Sequence, residues 1–83
     1  MHAISLEKNV VKFLSKLQEK DKQRIIEKIE QLAEDPVPHD AKRVIGTKEK
    51  TFRIRIGDYR ALYRLEKDQL IIVFLVDKRN KVY

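Results

Sequence analysis

The sequence predicts an α+β fold: an N-terminal strand and an antiparallel helix hairpin packed on a small, mainly antiparallel β-sheet. Three observations lead there. Two segments within the first 34 residues carry apolar side chains at helical spacing. Beyond residue 50 the pattern changes to period 2, and then to one uninterrupted apolar run. Pro36 and Pro38 divide the two halves. The expected order is β-α-α-β-β-β-β, with the helix pair covering one sheet face. Eighty-three residues make one domain, 1–83, near the lower limit for a chain that folds on its own core.

Residues 2–6 (HAISL) alternate and form the first strand, and Ser5 is placed to cap the helix that follows. Leu6, Val10, Phe13, Leu14 and Leu17 then share one helix face, with Lys8, Lys12 and Lys16 opposite, so this helix ends near Gln18. Asp21 is expected to cap a second helix from about Lys22 to Glu34, with Ile25, Ile26, Ile29, Leu32 and Ala33 on its apolar side. The prolines stop it, because proline lacks the amide proton and restricts its predecessor. Lys42–Ile45 is a candidate edge strand.

Phe52, Ile54 and Ile56 alternate with Arg53 and Arg55, and a second alternating run begins at Tyr59. Gly57-Asp58 between them suits a two-residue type II′ turn, which needs glycine first. That loop sets Ile56 opposite Tyr59, Arg55 opposite Arg60, Ile54 opposite Ala61, Arg53 opposite Leu62 and Phe52 opposite Tyr63. One face is then apolar, and the other holds Arg53, Arg55 and Arg60 together, with Arg64 farther along. Like charges directly opposite in a sheet are destabilising, so the cluster points to an anionic ligand. Glu66–Gln69 turns the chain back, and Leu70–Val76 reads as a central strand covered on both faces. With that turn centred on Lys67-Asp68, the last strand lies beside residues 59–66 and ends near the Gly57 end of the sheet.

Charge narrows the partners. Residues 1–40 hold seven Lys/Arg against eight Asp/Glu, and residues 41–83 hold twelve against five. The formal +6 therefore belongs to the strand-rich half, a distribution suited to a polyanion such as nucleic acid. The absence of cysteine excludes a disulfide framework, a thiolate nucleophile and a Cys-based zinc site. No apolar run is long enough to span a bilayer and no signal peptide is visible, so a cytoplasmic protein without a membrane role is the expectation. No phosphate-binding glycine loop, metalloprotease motif or serine elbow occurs. No cofactor is implied, and His2 and His39 do not make a metal site.

What remains is arginine and tyrosine. Guanidiniums offer planar, paired donors for phosphate, and several around one phosphate would stabilise a phosphoryl-transfer transition state. A tyrosine can stack on a base or take part in proton transfer. Arg79 and Tyr83, beyond the last strand, can return towards the arginine face.

Paired helices, then FRIRIGDYRALYRLE, an apolar strand and a closing KRNKVY resemble the RelE/ParE superfamily of toxins from toxin–antitoxin pairs. The resemblance covers nearly the whole chain, and the closing Arg79 and Tyr83 look more like the RelE branch. It implies a RelE-like fold and a ribosome-dependent, metal-independent endoribonuclease that cuts mRNA in the ribosomal A site. In such an enzyme the RNA 2′-hydroxyl attacks the adjacent phosphate. By the same resemblance Arg53 and Arg55 match strand positions that bind the scissile phosphate or assist 2′-hydroxyl activation, and Arg60 matches a phosphate-stabilising arginine. Arg79 matches the arginine near the leaving oxygen, and Tyr83 the terminal tyrosine that stacks on a nucleotide or assists proton transfer. Lys48, Lys50, Arg64, Lys78 and Lys81 are expected to contact RNA or ribosome. The chain ends at Tyr83 without the C-terminal helix seen in some members, so Leu62, Ile71 and Val73 are expected to form an apolar patch on the arginine face that contacts a cognate, RelB-like antitoxin. Some relatives carry lysines at the two strand positions, and a lysine can be tuned towards a base where arginine cannot. The general base is therefore open. Two other readings share these residues: a ParE-like, non-enzymatic inhibitor of DNA gyrase, and an RNA-binding module without activity.

Overall fold

A computed structural model describes residues 2–46, 50–67 and 69–78. The elements are β1 (Ala3–Leu6), α1 (Lys8–Ser15), α2 (Glu19–Gln31), β2 (Lys42–Arg43), β3 (Lys50–Ile56), β4 (Tyr59–Glu66) and β5 (Leu70–Lys78). The strands form one sheet in the order β1-β5-β4-β3-β2. Only the β1–β5 pair is parallel, and the other three pairs are antiparallel. The expected α+β order is therefore the observed one.

Both helices cover the same side of the sheet. Val10 and Leu14 of α1 and Ile25, Ile29 and Leu32 around α2 join Phe52, Ile54, Ile56, Ala61, Tyr63, Ile71, Val73 and Val76 in one core. Burial of these side chains is the main favourable term in a chain this small. Tyr63 is the largest fully buried side chain, and its hydroxyl donates to the Pro36 carbonyl at 2.7 Å. That bond fastens the loop after α2 to the middle of the sheet. Tyr59 packs edge-on against Phe13, and Phe52 stacks on Tyr63.

The helix starts differ from expectation. Ser5 pairs with Ile72 inside the sheet, and α1 begins at Lys8 after Glu7. The parallel ladder claims Ser5 before it can act as a cap. Helix α2 begins at Glu19, so Asp21 lies in its first turn, where a negative charge still favours the helix dipole. Strand β2 covers only Lys42–Arg43 of the expected four residues.

The β3–β4 hairpin has the expected register, from Phe52 opposite Tyr63 to Ile56 opposite Tyr59. Gly57 has φ +58, while Asp58 stays at negative φ, as a type II′ turn requires. The β4–β5 hairpin does not follow expectation. Gln69, just before β5, has φ +58, and Glu66 faces Leu70 and Leu65 faces Ile71. A bulge then shifts the register again, and Leu62 faces Leu75. A one-residue slip exchanges the faces of a strand. Ile71 and Val73 accordingly point into the core and are fully buried, as 0% exposure for each records. The apolar patch expected from Leu62, Ile71 and Val73 on the arginine face does not exist as such. Leu62 does have the parity of that face but is itself buried, and its apolar neighbours there are Ile72 and Leu75.

Residues Asn9 and Arg64 absorb the irregularity. The Asn9 amide donates to the Phe74 carbonyl at 2.9 Å, and the Arg64 guanidinium lies over the Phe74 ring. The bulge thus ties α1 to β5.

Candidate functional site

The helix-free face of the sheet carries the charge. Strand β3 contributes Arg53 and Arg55, and β4 contributes Arg60, with Arg55 directly opposite Arg60. Strand β2 pairs antiparallel with β3 so that Lys42 lies beside Arg53 on this face. These four cations, with Gly57 and Asp40, line one concavity of about 590 Å³. Arg60 also has Asp77 of β5 as its other cross-strand neighbour. The Arg55 Nε donates to the Gly57 carbonyl at 3.3 Å, which draws this side chain towards the hairpin tip.

The loop after α2 builds the remaining wall. The Tyr63–Pro36 bond anchors its start, and the Ala41 amide closes a turn onto the Pro38 carbonyl at 2.9 Å. The Lys28 ammonium then donates to Asp40 Oδ2 at 2.9 Å, clipping the loop to α2. This hydrogen bond and charge hold the Asp40 carboxyl below the usual carboxylate range. Burial, with Asp35 and Asp40 nearby, pushes the Tyr63 phenol upward. Burial, then Asp21 and Asp58, does the same for Tyr59.

Of the five residues expected to act on the phosphate, the fold brings Arg53, Arg55 and Arg60 together; Arg79 and Tyr83 lie outside the described residues. Lys48 and Lys81 lie outside them as well. Lys50 and Lys78 have the strand parity of Phe52 and Val76, so they belong to the helix side of the sheet, at its ends. Arg64 is on the arginine face but is engaged: its Nε donates to Glu66 at 2.9 Å, and Glu7 lies 4.0 Å away. Part of its charge is thereby neutralised within the fold.

Three residues escaped the sequence reading. Lys42 reaches the groove through the register of β2 and Asp40 through the turn before it, neither of which a four-residue edge segment reveals. Arg24 of α2 packs against the hairpin tip, where its guanidinium fills the space a side chain at Gly57 would occupy, 2.8 Å from that position. Its signal is still weaker, because it is one of several cations on a solvated helix face. Among the described residues, no group of three His, Asp or Glu side chains is placed to hold a metal ion. None of the described helices is long and apolar enough to cross a membrane.

The family model for the ParE toxin of the type II toxin–antitoxin system parDE matches residues 4–83. The chain belongs to the RelE/ParE superfamily of type II toxins. Among solved structures, the archaeal RelE–RelB complex from Pyrococcus horikoshii OT3 is similar at 30% identity and TM-score 0.85, covering 98% of each chain. The RelB–RelE complex from Methanococcus jannaschii is similar at 27% identity and TM-score 0.73, covering 94% of this chain and 93% of that one. The isolated E. coli RelE toxin shares the fold, with TM-score 0.79 at 17% identity, over 94% of this chain and 84% of that one. No curated protein sequence gives a significant match. The RelE-like toxin fold therefore presents its helix-free face as a cationic groove.

Proposed function

We propose that this toxin is a ribosome-dependent, metal-independent endoribonuclease that cleaves mRNA in the ribosomal A site and so inhibits translation. The observation that carries this reading is the grouping of Arg53, Arg55, Arg60 and Lys42 around one concavity. Several donors converging on a small volume suit the extra negative charge of a pentavalent phosphoryl transition state better than a single phosphate contact does. Phosphate oxygens would bridge Arg55 and Arg60, turning their mutual repulsion into shared attraction for the substrate. The RNA supplies the nucleophile, its own 2′-hydroxyl. The groove supplies alignment and charge, and both lower the barrier without a cofactor. Arg79 near the leaving oxygen and Tyr83 stacked on a nucleotide complete the proposed set. The protein would act in the cytoplasm and be neutralised by a RelB-like antitoxin, as the RelE–RelB complexes among its structural relatives suggest.

The test is purified protein added to ribosomes programmed with a defined message. Cutting within the decoding site, lost in Arg53→Ala and Arg79→Ala variants that still unfold cooperatively, supports the proposal. The family match favours one other reading, a ParE-like inhibitor of DNA gyrase that performs no chemistry. Intact message together with inhibited gyrase supercoiling would replace the first reading with the second.

A further inference from the structure

The groove's arginines can hold a phosphate, but they cannot take a proton from an attacking hydroxyl near neutral pH. One carboxylate lines the same groove. Asp40 lies with Lys42, Arg53, Arg55 and Arg60 around the 590 Å³ concavity and is the single acidic side chain among the described residues lining it. Its position is built rather than incidental. The turn closed by Ala41 onto Pro38 delivers it, and Lys28 of α2 fixes Oδ2 at 2.9 Å. The carboxylate also accepts from its own backbone amide, and the side chain is 42% exposed, so a substrate can reach it.

We propose that Asp40 is the general base that accepts the proton of the attacking 2′-hydroxyl; this rests on the ribonuclease reading above. In that step the 2′-O–H bond breaks and its proton passes to Oδ1. The 2′-oxygen forms the new bond to phosphorus while the bond from phosphorus to the 5′-oxygen breaks. The 5′-oxygen leaves with that electron pair and takes a proton from water, giving a cyclic phosphate and a free 5′-hydroxyl. Arg53, Arg55 and Arg60 balance the charge on the phosphoryl oxygens. Among the described residues, the groups that face Asp40 are cationic or neutral apart from Asp35 in the same loop. They are Lys28 from α2, His39 beside it, Lys42 from β2, Arg53 from β3 and the Tyr63 phenol from β4. The carboxyl is therefore ionised across the neutral range, although the cations that hold it so also lower its basicity.

The experiment compares wild type, Asp40→Asn and Asp40→Glu on programmed ribosomes, with single-turnover rates followed from about pH 6 to 9. Asp40→Asn should cut about 100- to 10,000-fold more slowly, the range for loss of a general base. Its rate should rise about tenfold per pH unit as hydroxide replaces the base, while the wild-type rate stays flat. Asp40→Glu should recover part of the loss. Asp40→Asn should also bind a message with a 2′-deoxy scissile nucleotide as tightly as wild type. Cutting by Asp40→Asn within about threefold of wild type would overturn the proposal. So would a slow variant with a flat pH profile and weakened binding, since that pattern belongs to a structural residue. A wild-type protein that cuts no message overturns the ribonuclease reading and the Asp40 assignment together. A slow variant beside an active wild type concerns Asp40 alone.

Discussion

Replacing Tyr63 by Phe removes a single oxygen from the centre of the molecule, and the consequence depends on pH in a way the structure dictates. At pH 7 the variant loses the 2.7 Å bond to the Pro36 carbonyl and leaves that acceptor without its donor. A neutral hydrogen bond of this kind contributes a net of about 1 kcal/mol. For a domain of this size that lowers Tm by roughly 4–8 °C. Above pH 10 the comparison reverses. Burial raises the folded phenol's pKa above its ordinary value of 10.0, so the unfolded chain loses its proton first. The stability is intact below pH 10 and falls as pH rises from there towards the folded pKa, by about 1.4 kcal/mol per unit. Phenylalanine has no proton to lose. The stability gap between the two proteins should therefore close within about one unit above pH 10 and then change sign. Tyr59, which is also shifted upward, is present in both proteins and cancels. Urea unfolding of both proteins at half-unit steps from about pH 7 to 11.5 measures this directly. A gap that stays constant across that range would refute the account of Tyr63 as a buried, bonded phenol, and so would equal stability at pH 7.

Gly57→Ala places a side chain at φ +58 and 2.8 Å from the Arg24 guanidinium, and should cost about 1–2 kcal/mol in thermal or chemical unfolding. Arg24 can swing away, so most of that cost is backbone strain, and Gly57→Asn should lose less. Arg55→Ala removes one member of the opposed arginine pair, and should stabilise the free protein by a few tenths of a kcal/mol or leave it unchanged. The same variant should reduce the salt dependence of single-stranded RNA binding by about 0.7 in the log–log slope, read by fluorescence titration. Ile71→Ala creates a cavity at a fully buried position and should cost about 2–5 kcal/mol, which urea unfolding reads as a lower midpoint. A loss under about 1 kcal/mol would mean that Ile71 faces solvent instead.

Much of the site was legible because its hairpin is short. Two residues at Gly57-Asp58 leave no freedom in register, so Arg55 opposite Arg60 follows from counting. The last strand offers no such handle. Leu70–Val76 has no alternation to show which side chains face inward, and two local features decide it: the left-handed Gln69 and the bulge near Phe74. Both are backbone events whose stabilising contacts come from distant residues, such as Asn9. The helix starts were obscured for a related reason. Ser5 is a good cap by type, but pairing with Ile72 outweighs a single capping bond. Asp40 and Lys42 reach the groove through a loop held by Lys28 and Tyr63, partners from elements 12 or more residues away. No local pattern encodes such a meeting.

The parallel pairing of β1 with β5 bears on when the fold can exist at all. Residues 3–6 must wait for residues 70–73, and β5, the strand between β1 and β4, is the last to be synthesised. Until it arrives β1 has no strand neighbour, β4 is an open edge and the core lacks Ile71, Val73 and Val76. Closing so long a loop is slow, and its entropy is recovered only when the distant strand docks. Folding should thus be a single late event, and a chain stopped at residue 67 should show no cooperative unfolding in urea. On a translating ribosome the residues before β5 would therefore emerge without a completed sheet.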